Sequence, residues 1–73
     1  MFVIEKYFLK SGGVIEVVVK TDLSLEDHQE DTLQTILDPE IGALQIASAS
    51  ANDKSYYLIL TDEIAAYKVV KAP

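Results

Sequence analysis

The sequence predicts one small α+β domain over residues 1–73, mostly β. Three observations support this class: β-branched and aromatic residues dominate most segments, one acidic segment has helical spacing, and short turn-forming sequences separate the segments. The 73 residues carry a net charge of −6 and are 49% apolar. This composition is too apolar for a disordered chain and too charged for a membrane-spanning one.

The first 21 residues predict a β-hairpin. Residues 2–10 and 14–21 are rich in β-branched and aromatic side chains, and Ser11-Gly12-Gly13 between them supplies a tight turn. The apolar residues of the second strand lie on both of its faces. Both faces of this strand are therefore expected to be covered, by the protein itself or by a partner chain.

The segment after the hairpin predicts one acidic helix from about Leu25 to Leu37. Ser24 is suited to cap its first turn, and carboxylates fill the first two turns, where the helix dipole favours negative charge. These carboxylates are Glu26, Asp27, Glu30 and Asp31. The stripe expected to be buried consists of Leu25, Leu33, Ile36 and Leu37.

Residues 31–50 allow a helical and an extended reading. Asp38-Pro39-Glu40 fits a helix start and equally a turn, while Leu44 and Ile46 at period two favour a strand over residues 43–50. If residues 32–37 formed a strand paired with residues 43–48, the fold would be all-β instead.

The end of the chain predicts two more strands, over residues 54–61 and 64–71, with Asp62 and Glu63 in the turn. The second half is therefore expected to form a three-stranded meander. Altogether about five antiparallel strands form a small barrel or meander sheet, with the helix between the second and third strands.

The missing residue types limit the function. The chain has no cysteine and no arginine, and its six lysines are spread over both ends. Disulfides and thiolate metal sites are thus excluded, and nucleic-acid binding is not expected, because that needs cations aligned on one face. No signal peptide and no long apolar run is evident, so we expect no membrane association and a cytoplasmic location.

The sequence contains no motif of a known catalytic site. His28 is the only histidine, and no nucleophile elbow, zinc-binding helix motif or phosphate-binding loop is present. We therefore expect no enzyme, no catalytic residues, no cofactor and no metal site. The carboxylates around His28 have no calcium-loop spacing, and a solvent-exposed helix start explains them.

Two groups of residues are candidates for binding sites. The first is an acidic, protein-binding face formed by the four helix carboxylates. The second is an interface or ligand site whose candidate members are Tyr56, Tyr57, Tyr67, Ser48 and Ser50. Tyrosine suits interfaces because it buries a ring and keeps a polar tip, and small residues over 47–51 leave room for an approaching group.

One helix covers only one face of a sheet, so the remaining apolar surface predicts a homo-oligomer. The function expected first is that of a small acidic binding protein, self-associating and engaging a protein partner, such as an inhibitor or accessory subunit. The alternative is a homo-oligomer that binds or sequesters a small molecule in pockets between subunits.

Overall fold

The computed structural model of the protein describes residues 1–48 and 56–73. Within these residues the chain forms five strands and one α-helix. They are β1 (Phe2–Leu9), β2 (Val14–Lys20), α1 (Leu25–Leu37), β3 (Ala43–Ala47), β4 (Tyr56–Leu60) and β5 (Ile64–Lys71), with a 3₁₀ turn at Thr61–Glu63 before β5. The predicted α+β class, with the helix between the second and third strands, is confirmed.

The strands form two antiparallel sheets. One sheet has the order β2-β1-β5, and the other pairs β3 with β4. The predicted three-stranded meander is therefore wrong, because β5 pairs with β1 and not with β4. The 3₁₀ turn redirects the chain after β4, and Lys10 N–H donates to the Glu63 carbonyl at 2.8 Å, which fixes the start of β5 beside the end of β1.

Glycines allow two of the turns. In the β1–β2 hairpin, Gly12 has φ +98°, and its N–H donates to the Leu9 carbonyl at 2.9 Å. Gly42, with φ +72°, precedes β3, and its carbonyl accepts from Thr61 N–H at 2.9 Å. A side chain disfavours this left-handed backbone region, so each position is suited to glycine.

The helix begins and ends where the sequence predicts. Ser24 Oγ accepts a hydrogen bond from Asp27 N–H at 3.1 Å, which caps the first turn. The all-β alternative is wrong, because residues 32–37 form the last turns of this helix. The cap at Ser24 and the helical spacing of the apolar residues favour the helix over the strand in this segment.

The core lies between the three-stranded sheet on one side and α1 with β3 and β4 on the other. Its centre is formed by Tyr7, Leu44 and Ile59, and Ile36 of α1 packs against them. No residue of α1 is fully buried. Leu37, predicted to lie in the buried stripe, is 76% exposed and is the last residue of the helix.

Candidate functional site

The four predicted carboxylates lie on one element and are all exposed. Glu26, Asp27, Glu30 and Asp31 occupy the first half of α1, and we call them the acidic face. Residues 21–48 contain no lysine, so no cation along this part of the chain neutralises them. The acidic face therefore presents concentrated negative charge to solvent.

The structure does not bring the predicted tyrosines and serines into one site. Tyr56 is 73% exposed on β4, whereas its neighbour Tyr57 points to the opposite side and packs against the core. Tyr67 reaches a different group, the Glu5 carboxylate. Ser48 is half-buried, and Ser50 lies outside the described residues.

The most exposed large apolar residues of the described strands lie in a row on β4. Tyr56, Leu58 and Leu60 alternate along the strand and are 73%, 71% and 57% exposed. We call these three residues the β4 row. Across the pair they face small or polar residues of β3: Ala47, Gln45 and Ala43.

A buried carboxylate forms the other candidate site. Glu5 lies on the central strand and is only 3% exposed. Its Oε2 accepts hydrogen bonds from His28 Nε2 at 2.9 Å and from Tyr67 OH at 2.9 Å, with Thr32 Oγ1 farther away at 3.4 Å. We call Glu5, His28, Thr32 and Tyr67 the Glu5 cluster.

Regular secondary structure brings this cluster together. His28 and Thr32 are four residues apart on α1, so both face the sheet. On β5, Tyr67 is paired with Tyr7, which places it diagonally from Glu5 on the same face. The helix, which has no fully buried residue, is thus tied to the central strand by polar contacts as well as by its apolar stripe.

Burial and the Glu5 charge determine the protonation of the nearby tyrosines. Burial, followed by the negative charge of Glu5, raises the pKa of Tyr7 far above its usual range. Burial also raises the pKa of Tyr67; a hydrogen bond from Thr32 opposes this shift, and the Glu5 charge adds to it. Both phenols therefore stay protonated as donors at neutral pH. Their rings lie 5.1 Å apart and are tilted by 43°.

A cavity of about 290 Å³ lies next to the Glu5 cluster, between the two sheets, which share no strand pairing. Glu5 and Tyr7 of β1 and Val19 of β2 form one side. Residues of α1 form the second side, and residues 44–47 of β3 form the third. The α1 residues are His28, Asp31, Thr32 and Thr35. The cavity is open to solvent and is formed within one chain.

Sequence reasoning missed Glu5 and Thr32, and it treated His28 only as an isolated residue. The signal was present in β1, where Val3, Glu5 and Tyr7 share one face by strand alternation. Both neighbours are buried apolar or aromatic residues. A carboxylate on such a face requires buried donors, and the only histidine of the chain is one of them.

Three further results concern metal binding, membrane spanning and similarity to known proteins. There, no three His, Asp or Glu side chains are placed to hold a metal ion. No helix among residues 1–48 and 56–73 is long and apolar enough to cross a membrane. Comparisons with protein-family models, curated proteins and solved structures find no match for this chain.

Proposed function

We propose that this chain is a small, non-catalytic binding protein of the cytoplasm that associates with itself through the β4 row and presents its acidic face to a basic protein partner. The exposed β4 row is the observation that carries the proposal. Two leucines and a tyrosine lie on alternate positions of one five-residue strand, each more than half exposed. Covering such side chains is favourable, so a contiguous apolar row is typical of an interface.

The pairing of β3 with β4 favours a second copy as the occupant. Beside the β4 row runs a row of Ala43, Gln45 and Ala47, so large and small side chains form two adjacent lines. A two-fold axis parallel to the strands places the large row of each copy over the small row of the other. The two sheets then pack face to face at about 10 Å.

Charge distribution is compatible with this contact. Neither β3 nor β4 contains a charged residue, so no charged side chain of these strands has to be desolvated between the copies. The rest of each chain repels its partner, because each copy carries a net charge of −6. Added salt screens this repulsion and is therefore expected to strengthen the association.

The acidic face supplies the second half of the proposal. It lies on α1 and shares no residue with the β4 row. An uncompensated group of carboxylates accelerates encounter with a basic surface and disfavours acidic partners. A protein of this kind acts as an inhibitor or accessory subunit by occupying a basic surface of its partner.

Sedimentation equilibrium tests the self-association directly. We expect the wild-type chain, 8.1 kDa as a monomer, to show a concentration-dependent rise toward at least twice that mass below about 1 mM. Two rows of three residues bury less area than a standard protein–protein interface, so a weak dimer is expected. A mass of one chain at about 1 mM and 0.5 M salt would contradict the proposal.

A matched pair of variants locates the contact. Leu58 is 71% exposed, so its burial stabilises by about 1–2 kcal/mol per copy. Leu58→Lys removes this from both copies, which weakens the dimer by at least about 30-fold. Val14→Lys introduces the same charge at a position of β2 that is 55% exposed, and should leave the mass unchanged. Equal effects of the two variants would refute the assignment to the β4 row.

A further inference from the structure

We infer that the cavity beside the Glu5 cluster is a binding site for a primary alkylammonium group. The walls of this site include no residue of the β4 row; they share Gln45 and Ala47 of β3 with the proposed contact between copies, and Asp31 with the acidic face. The inference rests on the Glu5 cluster and on Asp31, which lie outside the contact between copies, and not on self-association.

The charge of the lining favours a cation. The walls include the carboxylates of Glu5 and Asp31, and none of the described lining residues is a lysine. Glu5 is buried, with 3% of its surface exposed, while Asp31 is an exposed residue of α1. A cavity with two carboxylates and low-dielectric walls concentrates positive ions from a solution around a chain that is itself negative.

The hydrogen bonds already made inside the cluster favour a ligand that donates. The Glu5 Oε2 already accepts from three groups of the cluster: His28 Nε2, Tyr67 OH and Thr32 Oγ1. Thr35 Oγ1 donates to the Asp31 carbonyl at 3.2 Å. The hydroxyl and imidazole donors near the cavity are thus directed at protein acceptors, whereas the Asp31 carboxylate is exposed. An ammonium group offers three donors and no acceptor, so it complements a site whose own donors are already used and whose exposed group is a carboxylate.

The remaining walls favour a short hydrocarbon attached to the ammonium group. Val19, Leu44, Ile46 and Ala47 line the cavity with apolar atoms. The cavity has a volume of about 290 Å³. The site therefore fits an amine with a chain of a few carbon atoms, either a free amine or the side chain of a lysine in a peptide.

Titration by NMR with small probes tests the inference. Amide shifts of the ¹⁵N-labelled protein are followed during addition of n-butylammonium chloride, n-butanol or sodium butyrate, at constant ionic strength. We expect n-butylammonium to shift amides of residues 44–47 and of α1, and to bind at least about tenfold more tightly than n-butanol. Equal binding of butylammonium and butanol, or tighter binding of butyrate, would overturn the inference.

Three variants show whether the cavity itself binds the ammonium group. Asp31→Asn removes a carboxylate of the wall, and Asp27→Asn removes one from the preceding turn of the same helix, outside the cavity. We expect the first to weaken butylammonium binding about two- to fivefold and the second to leave it unchanged, as for an exposed ion pair. Equal weakening by both would assign the effect to general charge and reject the site. Val19→Phe, which narrows the cavity without a change in charge at a residue outside both proposed surfaces, should abolish the shifts, and retention of binding would likewise reject the site.

A further arm distinguishes the two sources of the amine. The capped peptide acetyl-Gly-Lys-Gly-amide carries the same alkylammonium group on a backbone. Binding within about threefold of n-butylammonium supports recognition of a lysine side chain, and binding of n-butylammonium alone supports a free amine. If neither probe binds while the protein is folded, the site is refuted, and the self-association measured by sedimentation is unaffected.

Discussion

Replacing Glu5 with alanine is the most informative perturbation of the fold. The Glu5 carboxylate joins three elements, because its Oε2 accepts from His28 of α1 and from Tyr67 of β5 while its backbone lies in β1. The substitution leaves a histidine N–H and a phenol O–H facing a cavity.

The size of the effect follows from burial. Glu5 is 3% exposed, and the His28 side chain is 12% exposed. Removing one member of a buried, hydrogen-bonded pair typically costs about 3–5 kcal/mol. The whole domain is expected to be stable by about 4–11 kcal/mol, at roughly 0.05–0.15 kcal/mol per residue. The variant should therefore lose a large share of its stability.

Urea unfolding followed by far-ultraviolet circular dichroism measures this loss. Glu16→Ala is the matched control, because Glu16 is an exposed glutamate of the neighbouring strand whose contact with Lys6, at 3.6 Å, is solvent-accessible. We expect the control to change the free energy of unfolding by less than about 1 kcal/mol. The Glu5→Ala protein should unfold at a far lower urea concentration.

A difference of less than about 1 kcal/mol between the two variants would refute the role assigned to the Glu5 cluster. If Glu5→Ala does not fold at all, Tyr67→Phe gives a second reading. It removes one donor at 2.9 Å and keeps the ring that packs on Tyr7, so a loss of about 1.5–3 kcal/mol is expected. A loss near zero would again contradict the account.

Three further predictions concern the helix, alkaline pH and the acidic face. Ser24→Ala should lower the free energy of unfolding by about 1 kcal/mol in urea, because Ser24 Oγ caps α1, while Ser11→Ala in an exposed turn should leave it unchanged. Burial raises the pKa of Tyr7 and Tyr67 in the folded state, so their contribution is fully present below the usual tyrosine pKa of about 10. It is lost at higher pH, so the thermal midpoint should fall from pH 9 to pH 11; a constant midpoint would contradict the burial of these phenols. Amide replacement of all four carboxylates of the acidic face should weaken binding of a decalysine peptide at 20 mM salt more than the same loss of charge elsewhere. The control converts Asp22, Glu40, Asp62 and Glu63 to amides, and equal binding of the two proteins would remove the special role of the helix.

Local patterns were sufficient to predict the elements of this fold. The cap at Ser24 and the spacing of apolar residues gave α1 its observed limits, Leu25–Leu37. Alternation and turn residues located the strands, including β3, for which the sequence favoured a strand only narrowly. These signals act over a few residues, and the described structure follows them.

The pairing of strands was not predictable in the same way. The three residues between β4 and β5 look like a hairpin turn, yet they form a 3₁₀ turn that sends β5 to the free edge of β1. Apolar alternation identifies which face of a strand is buried, but it does not identify the neighbouring strand. The same limit applies to Leu37, which has the apolar spacing of α1 and is nevertheless 76% exposed.

The candidate sites also differ in how far the sequence predicts them: a site on one element is evident, and a site formed by several elements is not. The acidic face was evident from the sequence, because it lies on a single helix. The Glu5 cluster joins residues up to 62 positions apart, so its members meet only through the pairing of β1 with β5 and the packing of α1. The β4 row was partly visible: alternation separates Tyr56 from Tyr57, but only the tertiary structure shows which side is covered.

The central claim is that a second copy covers the β4 row, and contacts between labelled and unlabelled chains test it most directly. In an equimolar mixture of ¹³C-labelled and unlabelled protein, isotope-filtered NMR detects contacts only between different molecules. We predict contacts from the methyl groups of Leu58 and Leu60 to those of Ala43 and Ala47. Absence of any such contact at about 1 mM, or contacts confined to Phe2, Phe8 and Val14 on the other sheet, would contradict the account.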